Sequence, residues 1–289
     1  MNSSNHHDID YYRDLSQQVQ FALQEDIGNG DLTAELIGAE VKAQATIICR
    51  ERAILCGQAW FDETFRQLDK QVSIDWHNND GDQIEADQTI CTLHGYARHL
   101  LTAERTALNF LQTLSGTATT ANRYAIALEG LHTRVLDTRK TLPGLRLAQK
   151  YAVMIGGCRN HRIGLYDAIL IKENHISACG SILQAVNTAR LNHGVENILI
   201  EVEVENLEQL QEALNAGVDR ILLDNMDEDS LHEAVALNAN RAELEASGNI
   251  SLNNIRNIAE TGVDYISIGA LTKHVRAIDL SMRNEFITE

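Results

Sequence analysis

The chain has 289 residues, 44% of them hydrophobic, with a single proline and 24 Lys and Arg against 41 Asp and Glu, a net charge of −17. That apolar content is too high for a disordered chain, and no uncharged apolar run approaches the roughly 18 residues of a membrane span. So acidic a chain repels nucleic acid and anionic membrane at long range, and neither is an expected partner. The first ten residues are polar and include Asp8 and Asp10, which does not read as a secretory signal. Five cysteines form no CxxC pair, so no disulfide framework or zinc knuckle is expected and a reducing cytoplasm fits.

In chain order, residues 11–26 carry Leu15, Val19, Ala22 and Leu23 at helical spacing, and the glycines at 28 and 30 break the helix. Asp31 after that break reads as a cap. Residues 41–55 alternate through Ala43, Ala45 and Ile47 as a strand does, and 60–68 fit a short helix. Two strands, 72–76 and 89–93, flank a turn-rich stretch at 78–82. Helices follow at 98–114 and 120–128.

Beyond Leu131 the pattern changes. Apolar runs at 134–137, 168–172, 198–204, 220–224, 242–246 and 265–269 alternate with helical stretches at 181–192, 207–216, 230–238 and 252–261. Strands alternating with helices predict βαβ units and a parallel sheet. Chemistry-bearing residues stand at the C-terminal ends of these strands, where (β/α) barrels build their sites, and six or seven units predict an incomplete barrel. The expected fold is α/β: an N-terminal α+β sandwich with an antiparallel sheet, followed by an incomplete (β/α) barrel.

Charge is concentrated as well. Residues 131–175 hold eight Lys and Arg and three acids, a local charge of +5 in an acidic chain. That island predicts a focused site for a small anion. Arg139 and Lys140 follow the first barrel strand, offering a planar fork and a point charge to carboxylate or phosphate. His161 and Arg162 follow a glycine turn and suit a second carboxylate. Lys172 ends an apolar run, where it needs a partner or a function: an anion to bind, or a Schiff base to form. Glu201, Glu203 and Glu205 share one strand face, with Glu205 read as a helix-start acid. Glu201 and Asp224 are expected to hold Mg²⁺ or sugar hydroxyls. The pairs Asn160-His161 and Asn174-His175 raise zinc, but no Cys or carboxylate completes a familiar spacing. Ser247-Gly248-Asn249 and Ile268-Gly269-Ala270 follow late strands and leave backbone N–H groups for a phosphate.

Taken in order, the stretches 25–33, 104–109, 137–146, 160–165, 170–176, 201–203, 223–225, 245–249 and 267–270 resemble the motifs of the quinolinate phosphoribosyltransferases. Cys158, where that family usually has a third glycine, and Glu173, where it often has Asp, are the departures. The resemblance implies a sandwich domain at 1–115, a barrel at 116–274 and a tail, 275–289, that packs back on the sandwich. It implies transfer of phosphoribosyl from 5-phosphoribosyl-1-pyrophosphate to quinolinate, giving nicotinate mononucleotide, pyrophosphate and CO2 for NAD biosynthesis. Arg139, His161, Arg162 and Lys172 resemble the quinolinate ligands, with Thr138 beside them, and Lys140 and Lys172 the pyrophosphate ligands. Glu201 and Asp224 resemble the ribose carboxylates, and Ser247, Gly248, Asn249, Ile268, Gly269 and Ala270 the 5-phosphate clamp. By the same resemblance, Lys140, Lys172, Glu201 and Asp224 are the catalytic group. Mg²⁺ is held mainly through substrate, with Glu201 and Asp224 as further ligands. The chain is expected to form a homodimer or higher oligomer, with Arg105 contributed across the interface. The residues by themselves leave open a related transferase for another base, a Schiff-base aldolase through Lys172, and a non-catalytic sensor of phosphoribosyl ligands.

Overall fold

The structure, a computed structural model, describes residues 9–193 and 198–287. Most of the polar N-terminal segment, 1–8, and the last two residues of the tail lie outside that range. In chain order the elements are α1 (Leu15–Ile27), β1 (Lys42–Cys49), β2 (Ala53–Ile54), α2 (Gln58–Leu68), β3 (Ser73–Trp76), β4 (Gln83–Ile84), β5 (Thr89–Tyr96) and α3 (Ala97–Ala127). Then come β6 (Arg134–Leu136), α4 (Arg146–Ile155), β7 (Ile169–Ile171), α5 (Glu173–Cys179), α6 (Ile182–His193), β8 (Ile200–Val204) and α7 (Leu207–Ala216). The chain ends with β9 (Arg220–Asp224), α8 (Glu228–Asn238), β10 (Glu243–Ser247), α9 (Ile255–Glu260), β11 (Tyr265–Ser267), α10 (Ala270–Lys273) and β12 (Leu280–Ile287).

Two compact units result. One comprises residues up to 121, 141–157 and from 272 onward; the other comprises 122–140 and 158–271. The stretch 141–157, which carries α4, therefore belongs to the first unit, inside the range assigned above to the barrel.

The first unit is built on an antiparallel sheet in the order β12-β1-β5-β3. Alternation in β1 buries Ala43, Ala45, Ile47 and Cys49 on one face, against Phe61 and Phe65 of α2 and Leu100, Leu108 and Leu111 of α3. The last strand returns to this sheet: β12 pairs with β1 along its full length, from Leu280 opposite Cys49 to Ile287 opposite Lys42.

The sequence predicts two helices between 98 and 128, but α3 is one continuous helix of 31 residues. The weak helix formers at 115–120 suggest a break, yet their hydroxyls have other work. Ser115 Oγ accepts from the Cys56 amide (2.9 Å) and Thr119 Oγ1 from the Ile54 amide (2.9 Å), so they tie the helix to β2 and the residues after it. Gly116 is there for clearance, because a Cβ would stand 2.1 Å from the Arg276 carbonyl.

The second unit is a six-stranded parallel sheet in the order β6-β11-β10-β9-β8-β7. Its first strand in the chain lies beside its last, as in a barrel, while β6 and β7 remain as two open edges. Six strands with this order form an incomplete barrel. Part of the gap is filled by an extended segment on the β6 edge. Arg159 donates to the Val135 carbonyl (2.8 Å) and Asp137 to the Arg159 carbonyl (3.1 Å), a parallel bridge that carries residues 159–162 to the C-terminal edge of the sheet. A barrel normally fills its interior with branched aliphatic side chains. Here the faces of β8, β9 and β10 that carry Glu201, Arg220 and Glu245 bring charge inside instead.

Candidate active site

The C-terminal edge of the parallel sheet gathers most of the residues singled out in the sequence. Thr138, Arg139 and Lys140 follow β6, His161 and Arg162 end the bridging segment, and Lys172 follows β7. Asp224 ends β9, Ser247 ends β10, and Ile268, Gly269 and Ala270 follow β11. Arg105 lies on α3 in the first unit, exposed.

Asp137 organises one side. Fully buried, it accepts from Asn160 Nδ2 (2.8 Å) and from the His161 amide (2.9 Å), locking that segment to the end of β6. The His161 ring is fixed too: its Nδ1 accepts from the Arg162 amide (2.7 Å). The ring proton therefore sits on Nε2, which faces Glu201 Oε2 at 3.0 Å and Glu245 Oε2 at 3.6 Å.

Both glutamates are 0% exposed. Burial, more than any neighbour, raises the Glu201 carboxyl to about 7, with Arg220 and Glu245 pulling it back. Burial followed by the Glu201 charge pushes Glu245 up to about 7 as well. Beneath them Arg220 lies 3.7 Å from Glu245 and 2.7 Å from Glu243, with its guanidinium 4.2 Å from the Tyr265 ring centroid.

One nitrogen of His161 and one oxygen from each of Glu201 and Glu245 lie within 4.8 Å of one another. Carboxylates thus do approach His161, contrary to the spacing argument made from sequence. The tautomer nevertheless speaks against a metal, because a ligating histidine donates its other ring N–H outward, whereas here Nδ1 is an acceptor. Both Glu201 oxygens are buried and make no hydrogen bond among the described residues, with Oε2 facing the His161 ring. Asp224 is half-buried at its strand end, accepting from Asn225 Nδ2 (2.7 Å), and keeps a hard oxygen ligand available.

Two guanidinium groups share the other side. Arg139 Nε is buried and makes no hydrogen bond among the described residues. Arg162 donates to the Ala168 carbonyl (3.2 Å) and is held below the usual guanidinium range, by burial first and by the Arg139 charge second. Like charges confined in this way leave a place for an anion. Lys172 forms an ion pair with Glu203. The strand before Lys172 is only half-buried, because β7 is an edge. Glu205 lies exposed outside α7, whose cap is Asn206, accepting from the Gln209 amide (2.9 Å); it is not the helix-start acid expected.

The late loops are tightly laid. Gly248 has φ +99°, and a Cβ there would stand 2.2 Å from Asn225 Oδ1, so only glycine fits. Asn225 and Asn249 are also left-handed, and the Asn225 amide donates to the Ser247 carbonyl (2.8 Å). A Cβ on Gly269 would meet Lys140 at 3.1 Å from Cδ and 3.8 Å from Nζ, which places this ammonium directly over the 268–270 loop.

Sequence reasoning placed Asp137 at a strand end without a role of its own, and passed over Glu245 and Arg220. A signal was present for Glu245: alternation in β10 puts Glu243, Glu245 and Ser247 on one face, as it does for Glu201 and Glu203 in β8.

Comparison with known proteins identifies relatives over nearly the whole chain. Residues 31–115 match the family profile described as the quinolinate phosphoribosyl transferase N-terminal domain, and 117–283 match its C-terminal domain. The chain is 45% identical over 258 residues to a probable nicotinate-nucleotide pyrophosphorylase (carboxylating) of Bacillus subtilis, covering 89% of each. It is 39% identical to a decarboxylating quinolinate phosphoribosyltransferase of Nicotiana glauca, over 93% of this chain and 82% of that one. A nicotinate-nucleotide pyrophosphorylase structure from Francisella tularensis superposes with a TM-score of 0.93 at 46% identity, covering 98% of this chain and all of the other. A Pyrococcus furiosus structure at 16% identity and TM-score 0.70 shares the fold. By its sequence over both domains, and by its sandwich and open barrel, the chain belongs to the quinolinate phosphoribosyltransferase family.

Proposed function

We propose that this chain transfers the phosphoribosyl group of 5-phosphoribosyl-1-pyrophosphate to the nitrogen of quinolinate. Loss of CO2 and pyrophosphate then gives nicotinate mononucleotide, a step of de novo NAD biosynthesis. The observation that carries this reading is the Arg139–Arg162 pair, two confined cations at the sheet's C-terminal edge, one with a buried Nε that makes no hydrogen bond. A pyridine dicarboxylate offers the two planar anions that such a pair takes in bidentate fashion.

The chemistry fits the remaining residues. As pyrophosphate leaves, positive charge builds at the anomeric carbon while negative charge collects on the leaving group. Glu201 supplies a buried negative charge beneath the site, with the His161 ring above it. Lys140, over the 268–270 loop, and Lys172 serve the phosphate oxygens. The glycine loops at 248 and 269 let backbone N–H groups approach the 5-phosphate. Ring nitrogen attack makes a pyridinium that accepts the electrons left by CO2, so the protein orients two anions and offsets their repulsion. Asp224, with substrate oxygens, would hold a Mg²⁺ ion, which would supply positive charge to the leaving pyrophosphate.

The protein works as a homodimer in which Arg105 reaches the partner's site. Its exposure on α3, with exposed Leu32 and Leu36 in the same unit, supports this. A cytoplasmic setting agrees with five cysteines that no disulfide joins. Among the described residues, no helix is long and apolar enough to cross a membrane.

The test is a turnover assay with quinolinate, 5-phosphoribosyl-1-pyrophosphate and Mg²⁺, following nicotinate mononucleotide and CO2 together, with nicotinate in a parallel tube. Equal yields of both products from quinolinate, and none from nicotinate, are expected. Product from nicotinate alone would reassign the site to a mono-carboxylate base. Loss of turnover on chelation, restored by added Mg²⁺, is expected as well.

A further inference from the structure

The Arg139–Arg162 pair is made of like charges, and the Arg139 charge works against that of Arg162. Something must hold the two side by side before an anion arrives. The segment that carries Arg162 has little sheet to rest on: its ladder with β6 is the bridge of Leu136 with Arg159. Beyond Arg159 its backbone donors turn to side chains. The His161 amide donates to Asp137 (2.9 Å), the Arg162 amide to His161 Nδ1 (2.7 Å), and the Ile163 and Gly164 amides to Asp167 (2.6 and 2.8 Å).

His161 and Asp167 belong to this stretch of chain and shape it locally, whereas Asp137 stands at the end of β6 and ties it to the sheet. Each of its carboxylate oxygens takes a donor: Oδ1 the His161 amide, and Oδ2 the Asn160 Nδ2 (2.8 Å). Its own amide donates to the Arg159 carbonyl (3.1 Å), so backbone and side chain close on the same segment. Cys158 is a further buried neighbour, and burial first, then the Asp137 charge, keeps its thiol protonated. At 0% exposure a carboxylate is a costly acceptor. Two converging N–H donors nevertheless call for a group that brings no proton of its own, which a carboxylate is and an amide is not. Two residues further on the chain presents Arg139, so one strand end supplies one cation of the pair and the anchor of the other.

We propose that Asp137 is a positioning residue for the quinolinate site: by gripping Asn160 and the His161 amide, it holds His161 and Arg162 at a set spacing from Arg139, against the repulsion of the two guanidinium groups. It acts through those residues and not on substrate itself. The benefit is preorganisation, because the two cations are already together when the dicarboxylate binds. It therefore falls on quinolinate, and neither on 5-phosphoribosyl-1-pyrophosphate nor on the bond-breaking step. This inference rests on the reading of the site as a quinolinate phosphoribosyltransferase centre.

An exchange of side chains separates the proposal from a merely structural role. Asp137→Asn keeps the size but turns an N–H toward one of the two donors. Adding Asn160→Asp swaps donor and acceptor, restores both contacts and returns the wild-type net charge. In D137N the KM for quinolinate is expected to rise about tenfold or more, with kcat and the KM for 5-phosphoribosyl-1-pyrophosphate within about threefold of wild type. D137N/N160D should bring the quinolinate KM back to within about threefold. Asn160→Ala drops one donor and keeps the carboxylate; it is expected to raise the same constant about threefold or more, and it serves if D137N does not fold. A wild-type quinolinate KM in these single variants would overturn the proposal. Equal rises for both substrates, or a double variant as impaired as D137N, would overturn it too. A second measurement needs no turnover. Backbone amides of a peptide covering 159–164 should exchange hydrogen about tenfold faster or more in D137N and regain their protection in the double variant. Unchanged exchange in D137N would overturn the proposal. Failure of the wild-type enzyme to turn over quinolinate, with this pattern of protection in place, would count against the assigned reaction while leaving the hold of Asp137 on the segment supported.

Discussion

Lys140 and Glu201 carry opposite charges at opposite depths of one site, and the two positions call for different experiments. Lys140 is exposed over the 268–270 loop, so removing it should leave the fold intact. Lys140→Ala is expected to lower turnover at least about a hundredfold, the order seen when a group stabilising transition-state charge is lost. Steady-state kinetics with a matched melting curve check this, and a wild-type rate would remove Lys140 from the catalytic group. Glu201 and Glu245 have a stability consequence of their own. Both are raised from 4.5 to about 7 in the folded chain, so folding takes up protons. Their contribution is complete below pH 4.5 and is lost as pH rises through about 7. Urea denaturation at pH 5.5 and 8.5 should show wild-type stability falling through this pair by on the order of 1–3 kcal/mol, and E245Q falling less. Parallel slopes for the two proteins would mean that the pair is ionised across the whole range. At this scale the sequence was informative about residue type. Arg139, Lys140, Arg162 and Lys172 stand out because cations at strand ends have few other uses. Glu245 did not stand out, because a glutamate within an apolar strand acquires meaning only through what it faces.

Among the elements, loops were harder to read than strands. The six parallel strands fall within two residues of their expected bounds, since apolar runs in a parallel sheet need no partner to be recognised. The break expected inside α3 does not exist. Ser115 and Thr119 are poor helix formers whose hydroxyls are spent on the chain at 54–56, and this tertiary gain outweighs local propensity. The loop after β10 makes the most exacting demand on its sequence. Gly248 combines φ +99° with a 2.2 Å approach to Asn225, so Gly248→Ala must shift both late loops. A rise of about tenfold or more in KM for 5-phosphoribosyl-1-pyrophosphate is expected, with a smaller change for quinolinate. Equal changes for the two substrates would detach this loop from the phosphate.

For the molecule as a whole, the prediction concerns the dimer. If Arg105 serves the partner's site, then Arg105→Ala and Lys140→Ala subunits, each inactive alone, form mixed dimers with one site that lacks neither residue. Partial activity on mixing, about a quarter of wild type when exchange is random, is expected in assays that follow subunit mixing. No recovery in confirmed mixed dimers would place Arg105 within its own subunit's site. Composition and periodicity by themselves determined the fold class, the order of strands and helices, and the cationic character of the site, because each depends on residue type and spacing along the chain. Tertiary structure decided the rest. It returned the last strand to the first sheet, let residues 159–162 fill a barrel edge, and turned Glu201 away from solvent toward His161 and Glu245. Those outcomes depend on which residues, distant in sequence, meet at one register, and on buried charges finding partners once water is excluded.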